Sequence, residues 1–212
     1  MMKKINFIAL LIVATTAVSL KGQTASDLFV SAPESMLLTL NTTDRLDLID
    51  FYKAGQEAKV ENQLGDTSAI FRLTDDYLEL KTGNETLELI ILHLVNDSKI
   101  VCLIQTVCAP VCDSYLAFYT TSWKKIDSDI FIAPADKLWF IKEGFDPEGQ
   151  KVKNTLIPLD ITLMHFHYDT EKQVLYQYYT TPEYVSLDDK TKAEVYLKNE
   201  PRIFRWSRGR FE

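Results

Sequence analysis

The sequence predicts an α+β fold in which N-terminal helices are followed by a mostly antiparallel β-sheet meander. Helix signals are confined to residues 33–55, where capping residues, apolar positions at helical spacing and a glycine stop follow one another. From Thr67 onward the apolar residues instead recur at the strand period of two, in short runs separated by turn residues. Because these turns are too short to contain a crossover helix, neighbouring strands are expected to be antiparallel.

Two helices are predicted before the first strand. Pro33, at a first-turn position, begins a short helix that stops at Asn41. Thr42 and Thr43 cap a second helix, over residues 44–54, whose leading acid suits the positive end of the helix dipole. A polar stretch then carries the chain into the strands.

The predicted strands form an early and a late group. The early group covers residues 69–73, 77–80, 87–95, 100–107 and 115–120, and the late group covers residues 159–168, 174–180, 194–197 and 203–211. A loop-like stretch at residues 142–154 is the one plausible internal boundary. We therefore predict a single α+β domain over residues 23–212, with a possible sub-boundary near 142–154.

The N-terminal segment, residues 1–22, has the pattern of an export signal. Two lysines precede a short apolar run, no acid occurs before Asp27, and the run is too short to span a bilayer comfortably. Cleavage is expected after Gly22, with Ser19 and Ala25 as alternative small residues. No cysteine ends the apolar run to carry a lipid, so we expect an exported chain without a membrane anchor.

The mature chain is expected to be acidic. Removal of residues 1–22 takes away three lysines and no acid, so the net charge changes from −7 to −7 − 3 = −10. A polyanion is bound by neutralising its phosphates with lysine and arginine, so nucleic acid and anionic membrane surfaces are not expected partners. The sequence carries no cofactor motif, and no cofactor is predicted.

Three cysteines are an odd number for an exported protein, so one is expected to be unpaired within the chain. Cys102 lies in a β-branched run and is predicted to be a buried free thiol. Cys108 and Cys112 flank a turn that contains Pro110, and residues in such positions can approach to disulfide distance. This pair is the candidate disulfide, while the residues alone leave its oxidation state open.

Several short sequence blocks follow one another in a characteristic order. They are Pro33 with 36–38, 44–50, Asn62 with 64–65, 73–78, Thr106, 113–114, and 118–119 with Trp123. In this order they resemble an uncharacterised family of secreted proteins from Bacteroidales, a domain of unknown function. The resemblance implies the periplasm or cell envelope of a Gram-negative gut or oral bacterium. It brings no established activity, so it assigns no catalytic residue.

Aromatic and basic residues near the C terminus are the candidate binding residues. Tyr176 and Tyr178 share one face of a predicted strand, and a row of tyrosines can stack on sugars or dock a protein because each ring is apolar with a polar tip. Arg205 and Arg208 belong to a cluster of arginines that could line the same surface. Core packing of the tyrosines and a solvated strand face for the arginines are the alternatives.

Catalytic and metal sites have weaker sequence support, and none is predicted. His165 and His167 alternate along one strand, but no third metal ligand can be assigned, so a solvated or hydrogen-bonded pair is preferred. Ser114 follows the cysteine loop without a G-x-S-x-G elbow or an assignable histidine, so a turn role is preferred.

We therefore expect non-catalytic binding of an envelope protein or glycan. The rival hypothesis is a hydrolase that assembles Ser114, a histidine and an acid from distant segments, because catalytic triads are spatial rather than sequential. A cavity that holds His93 or His165 within hydrogen-bond reach of Ser114 would favour the hydrolase, whereas a flat aromatic face would favour binding.

Overall fold

Seven consecutive strands form an antiparallel meander in which every strand pairs with its neighbours in sequence. The structure, a computed structural model, describes residues 23–212, and the predicted export signal at residues 1–22 lies outside them. The strands are β1 (Lys59–Glu61), β2 (Thr67–Leu73), β3 (Tyr77–Thr82), β4 (Glu85–His93), β5 (Lys99–Cys108), β6 (Cys112–Thr120) and β7 (Lys125–Ile126). The short turns between the apolar runs thus give the antiparallel pairing that the sequence predicts.

A second antiparallel sheet follows, with strands in the order β11-β10-β9-β8. Its strands are β8 (Met164–Asp169), β9 (Val174–Tyr179), β10 (Arg202–Ser207) and β11 (Arg210–Phe211). The predicted boundary at residues 142–154 lies between the two sheets in sequence. Even so, Val152 from this stretch is buried in the apolar core that the sheets share.

The helices are not all N-terminal, so this part of the predicted fold is corrected. They are α1 (Ala25–Ser31), α2 (Thr42–Lys53), α3 (Gln150–Leu156) and α4 (Leu187–Glu194). Around Pro33 the structure has only a single turn of 3₁₀ helix, Glu34–Met36. The strand predicted at 194–197 is wrong, because Ser186 caps α4 by accepting a hydrogen bond from the Asp189 amide and the helix then runs to Glu194. No helix within residues 23–212 combines the length and apolarity that a membrane crossing requires.

The seven-stranded sheet separates two apolar cores. Alternate residues of β4 point to opposite faces, as they do in any strand. Leu89 and Ile91 contribute to the core under α1 and α2. Ile90 and Leu92 contribute to the core shared with the second sheet. Helices α1 and α2, the seven-stranded sheet and the four-stranded sheet therefore form three successive layers, while α3 and α4 contribute Val152 and Ala193 to the core shared by the two sheets.

The outer edge of β8 is closed by side chains of the seven-stranded sheet. An edge strand has a row of backbone amides without partners in its own sheet, and such amides need acceptors when they are buried. The pairs are the amide of Met164 with Asp113 Oδ1 at 2.9 Å, that of Phe166 with Ser114 Oγ at 3.0 Å, and that of Tyr168 with Glu88 Oε2 at 3.0 Å. These bonds fix the position of β8, and with it the two histidines that β8 carries.

Candidate functional site

A row of aromatic and imidazole rings covers the outer face of the four-stranded sheet. Met164 and Phe166 of β8 are buried in the core, so the alternating His165 lies on the opposite face. His165 is the cross-strand partner of Tyr178, and their rings stack with centroids 5.8 Å apart and an interplanar angle of 27°. Tyr176 continues the row, with its centroid 6.0 Å from that of Tyr178.

A cavity of about 490 Å³ opens beside this row, between the sheet and α4. Its aromatic and imidazole lining consists of Phe140, His165, His167, Tyr178 and Tyr179. Its polar rim is formed by Glu183, Lys190, Glu194, Lys198, Asn199 and Glu200. A concave site of this volume, with an apolar floor and a few polar groups, is typical of a small-molecule or chain-end binding site.

The carboxylate of Glu88 lies buried behind His167, with 3 % of the residue exposed. Its Oε2 accepts hydrogen bonds from the Tyr77 hydroxyl and the Tyr168 amide, both at 3.0 Å. Its Oε1 lies 3.2 Å from His167 Nδ1. A buried carboxylate needs such partners, because a bare charge in an apolar core is costly. Glu88 therefore holds the imidazole of His167 at the cavity wall.

The two histidines of β8 have opposite pKa shifts. The hydrogen bond to Glu88 is the main cause that raises the pKa of His167 above its usual value. Burial is the main cause that lowers the pKa of His165, which has no carboxylate at hydrogen-bond distance among the described residues. Residues with shifted pKa values cluster at functional sites, so the shifts of His165 and His167 support this cavity as a candidate functional site.

The side chains around the cavity do not form a metal site. Within residues 23–212, no three histidine, cysteine, aspartate or glutamate side chains are grouped in a way that could hold a metal ion. His167 already engages Glu88, and His165 stacks on Tyr178. The arrangement is suited to stacking and hydrogen bonding.

The structure brings together only part of the predicted binding set. Tyr178 lines the cavity and Tyr176 lies next to it, both half-buried. Arg205 is exposed on β10, opposite Val174 in the register. Arg208 lies in the turn between β10 and β11, with a φ of 50°. Neither arginine lines the cavity.

The hydroxyl of Ser114 forms hydrogen bonds with another side chain and with a backbone amide. Its Oγ lies 2.8 Å from Thr106 Oγ1 and accepts the Phe166 amide at 3.0 Å. None of the hydrogen bonds among residues 23–212 joins it to a histidine. The hydroxyl of Thr180, which lines the cavity, donates to the Cys112 carbonyl oxygen at 2.7 Å.

The cysteine hairpin joins the end of β5 to the start of β6, whereas the buried thiol of Cys102 lies in the middle of β5. Cys108 and Cys112 are joined by a disulfide across the β5–β6 turn. Cys102 is fully buried and unpaired, and burial raises the pKa of its thiol. The hydrogen bond from Thr180 to Cys112 ties this hairpin to the end of β9.

A second large cavity, of about 620 Å³, lies near the β8–β9 turn. Asp76 and His93 line it, with the nearer carboxylate oxygen 3.5 Å from His93 Nε2. Tyr77 and Tyr168, which both donate to Glu88, also contribute to its wall. The rings of Tyr77 and Tyr168 lie 6.2 Å apart there, but Tyr77 is buried and offers little ring surface to a ligand, so the cavity at His165 is the stronger candidate.

Sequence reasoning identified Tyr178 but missed most of the cavity. In the sequence, Glu88 is a single acid within an apolar strand, and its partner His167 lies far along the chain. The rim comes from α4, the turn before it and the segment after it, for which the sequence analysis predicted only a strand at residues 194–197. The one available signal was the alternation of His165 and His167, which places both on one face.

Comparisons with known proteins support the fold and leave the activity open. A family model described as a protein of unknown function, DUF3256, matches residues 17–211. A solved structure of a domain of an uncharacterized protein from Porphyromonas gingivalis W83 is similar, with a TM-score of 0.75 and 28% sequence identity, over 87% of this chain and 96% of that chain. No curated protein matches. The chain belongs to the DUF3256 family of proteins of unknown function.

Proposed function

We propose that this chain is an exported, non-catalytic binding protein of the cell envelope, and that its ligand docks at the cavity beside Tyr178. The observation that carries the proposal is the row of neighbouring rings formed by His165, Tyr178 and Tyr176 next to that cavity. Rings that keep a face towards solvent provide contact area at a low cost in side-chain entropy, which is why tyrosine is enriched in binding sites.

The hydrogen bonds that the hydroxyl groups of Ser114 and Thr180 already form favour a binding function over hydrolysis. A serine nucleophile needs a general base within hydrogen-bond reach. Ser114 instead bonds to Thr106 and to a backbone amide, and Thr180 donates to a carbonyl oxygen. The pair formed by His167 and Glu88 has the chemistry of a base and its orienting acid, but no serine lines the cavity within the described residues.

Affinity capture from an envelope extract of the native host tests the proposal. The baits are the wild-type protein, the Tyr176→Ala/Tyr178→Ala double variant, and a Tyr115→Ala control. Tyr115 is 50% exposed on β6 and does not line the cavity beside Tyr178. Tyr115→Ala therefore removes a tyrosine ring, as the double variant does, but away from that cavity. Captured proteins and released glycans are both identified by mass spectrometry.

The expected result is at least one species retained by the wild type and the control and lost by the double variant. Identical capture by all three baits would contradict the proposal. The variants must first be shown to be folded by thermal melting, since a half-buried tyrosine also contributes to packing.

Export is the second element of the proposal, and it rests on the pattern of residues 1–22. Mass spectrometry of the protein from its native host is expected to show an N terminus between residues 20 and 26, most readily at Gln23, without an acyl group. Detection of intact Met1, or of a lipid adduct, would overturn it.

A further inference from the structure

We infer that the ligand of the cavity beside Tyr178 is a neutral oligosaccharide, an inference that rests on the proposed binding function and names its ligand class. Three features of the described residues lead to it. They are the extended row of rings, the excess of carboxylates over ammonium groups at the rim, and the surplus of hydrogen-bond acceptors there.

The ring row is suited to a ligand that is itself a chain of rings. His165, Tyr178 and Tyr176 lie side by side on neighbouring strands, with centroid separations of 5.8 Å and 6.0 Å. Phe140, which is buried in the core, and Tyr179, which packs against that core, also line the cavity, with their centroids 5.6 Å apart. The C–H faces of successive sugar units can lie on such a surface, whereas a single charged group would use one ring only.

The two lysines at the rim are both held by contacts within the protein. Lys190 forms an ion pair with Glu183 at 2.6 Å and has Glu194 at 4.0 Å. Lys198 donates to the Trp139 carbonyl oxygen at 3.0 Å, and its ammonium lies 4.4 Å from the centre of the Trp139 ring. Lys190 is therefore paired with a carboxylate, whereas Lys198 is held by a carbonyl oxygen and a ring and has no carboxylate partner within residues 23–212.

The two histidines of the cavity add no free cation. The imidazole of His167 faces the Glu88 carboxylate at 3.2 Å, so any positive charge on it is already neutralised. His165 is packed against Tyr178 and half-buried, an environment that favours the neutral ring. An acidic sugar would thus bring its charge to a rim that holds three glutamates and two lysines.

The remaining polar groups at the rim mostly accept hydrogen bonds. Glu200 forms no ion pair within residues 23–212, and the carboxylate of Glu194 has only the distant contact with Lys190. Asn199 adds one amide, which can both accept and donate. Sugar hydroxyls can donate to these carboxylates while their ring faces lie on the tyrosines. A cationic peptide would share the carboxylates but would gain little from the length of the ring row.

Isothermal titration with defined probes tests this inference. The neutral probes are the hexasaccharides of cellulose, mannan, xylan, starch and chitin, the acidic probe is trigalacturonic acid, and the cationic probe is pentalysine. Each is titrated into the wild type, Tyr178→Ala and Tyr115→Ala. The Tyr115 variant removes an exposed tyrosine of the other sheet and so controls for general effects.

At least one neutral probe is expected to bind the wild type, with an affinity at least about tenfold weaker in Tyr178→Ala and unchanged in Tyr115→Ala, since truncation of a tyrosine that anchors a ligand commonly costs this much. The acidic and cationic probes are expected not to bind. Absence of binding by every neutral probe, or neutral binding that is indifferent to Tyr178→Ala, would overturn the inference. Binding of pentalysine that depends on Tyr178 would also overturn it, while leaving the proposed binding function intact.

Discussion

Replacement of Glu88 is predicted to separate two roles of its buried carboxylate. Glu88→Gln preserves the shape, and the amide oxygen can occupy the Oε2 position that accepts from Tyr77 and Tyr168. The amide nitrogen then faces His167, so only that contact is lost or reversed. Glu88→Leu removes the acceptor for all three donors.

The expected magnitudes differ accordingly. Loss of one hydrogen bond at the half-exposed His167 is expected to lower the free energy of unfolding by about 1 kcal/mol in Glu88→Gln. In Glu88→Leu the buried Tyr77 hydroxyl and Tyr168 amide are both left without a partner, at roughly 1–3 kcal/mol each, and the added apolar burial offsets part of this. We therefore expect a net loss of about 3 kcal/mol for the leucine variant.

The glutamine variant is also expected to change the pH dependence of stability. Glu88 raises the pKa of His167 in the folded state, so the stabilisation is fully present below the unfolded value of about 6.5 and is lost as the pH rises through the folded pKa. The difference in unfolding free energy between the wild type and Glu88→Gln should then be larger at pH 6 than at pH 9.

Urea denaturation at both pH values measures this difference, with Glu85→Gln as the control. Glu85 begins the same strand and is exposed, so the same chemical change there should have little effect. Equal losses in Glu88→Gln and Glu88→Leu, or the same difference from wild type at pH 6 and pH 9, would refute the assigned role of Glu88.

Three further predictions concern stability and thiol chemistry. Arg45 is buried and donates hydrogen bonds to the carbonyl oxygens of Phe29 and Ala32 at the end of α1, at 3.2 Å and 2.6 Å. Arg45→Met should therefore lower the unfolding free energy by about 2–4 kcal/mol in urea denaturation. A loss below about 0.5 kcal/mol would count against this role. Gln177 is fully buried and makes two hydrogen bonds to the Ala135 backbone, so Gln177→Ala should cost about 2–3 kcal/mol by the same assay, more than the neighbouring tyrosine double variant. Alkylation of the unfolded, unreduced protein should label one cysteine, Cys102, whereas labelling of all three would exclude the disulfide. Reduction of the disulfide should lower the unfolding free energy by about 2 kcal/mol.

The sequence was sufficient to predict the meander because its signals are local. Short apolar runs at period two, separated by turns, specify antiparallel neighbours without any knowledge of distant contacts. The helix α4 escaped prediction because only Ala193 of its residues is buried, so it lacks an apolar stripe. Helix α1 has only seven residues, so its capping box, formed by Thr24 and Asp27, is not followed by a long periodic pattern.

The candidate site could be predicted only where it depends on one strand. Tyr176 and Tyr178 share a face by alternation, and so do the histidines of β8. The contact of Glu88 with His167 depends on how two sheets pack, and no local pattern encodes that distance. Arg208 was included for its charge, but a turn residue with a positive φ does not follow the alternation of β10.

The imidazole spectrum of the protein tests the central claim most directly. The chain has three histidines, of which His165 and His167 line the proposed site and His93 lies at the second cavity. The probe is the material that the wild-type protein captures from the envelope extract, titrated into isotope-labelled protein and followed by NMR. We predict that the resonances of His165 and His167 shift in a saturable manner while those of His93 stay in place. A shift confined to His93, or no shift of any histidine on saturation, would contradict binding at the cavity beside Tyr178.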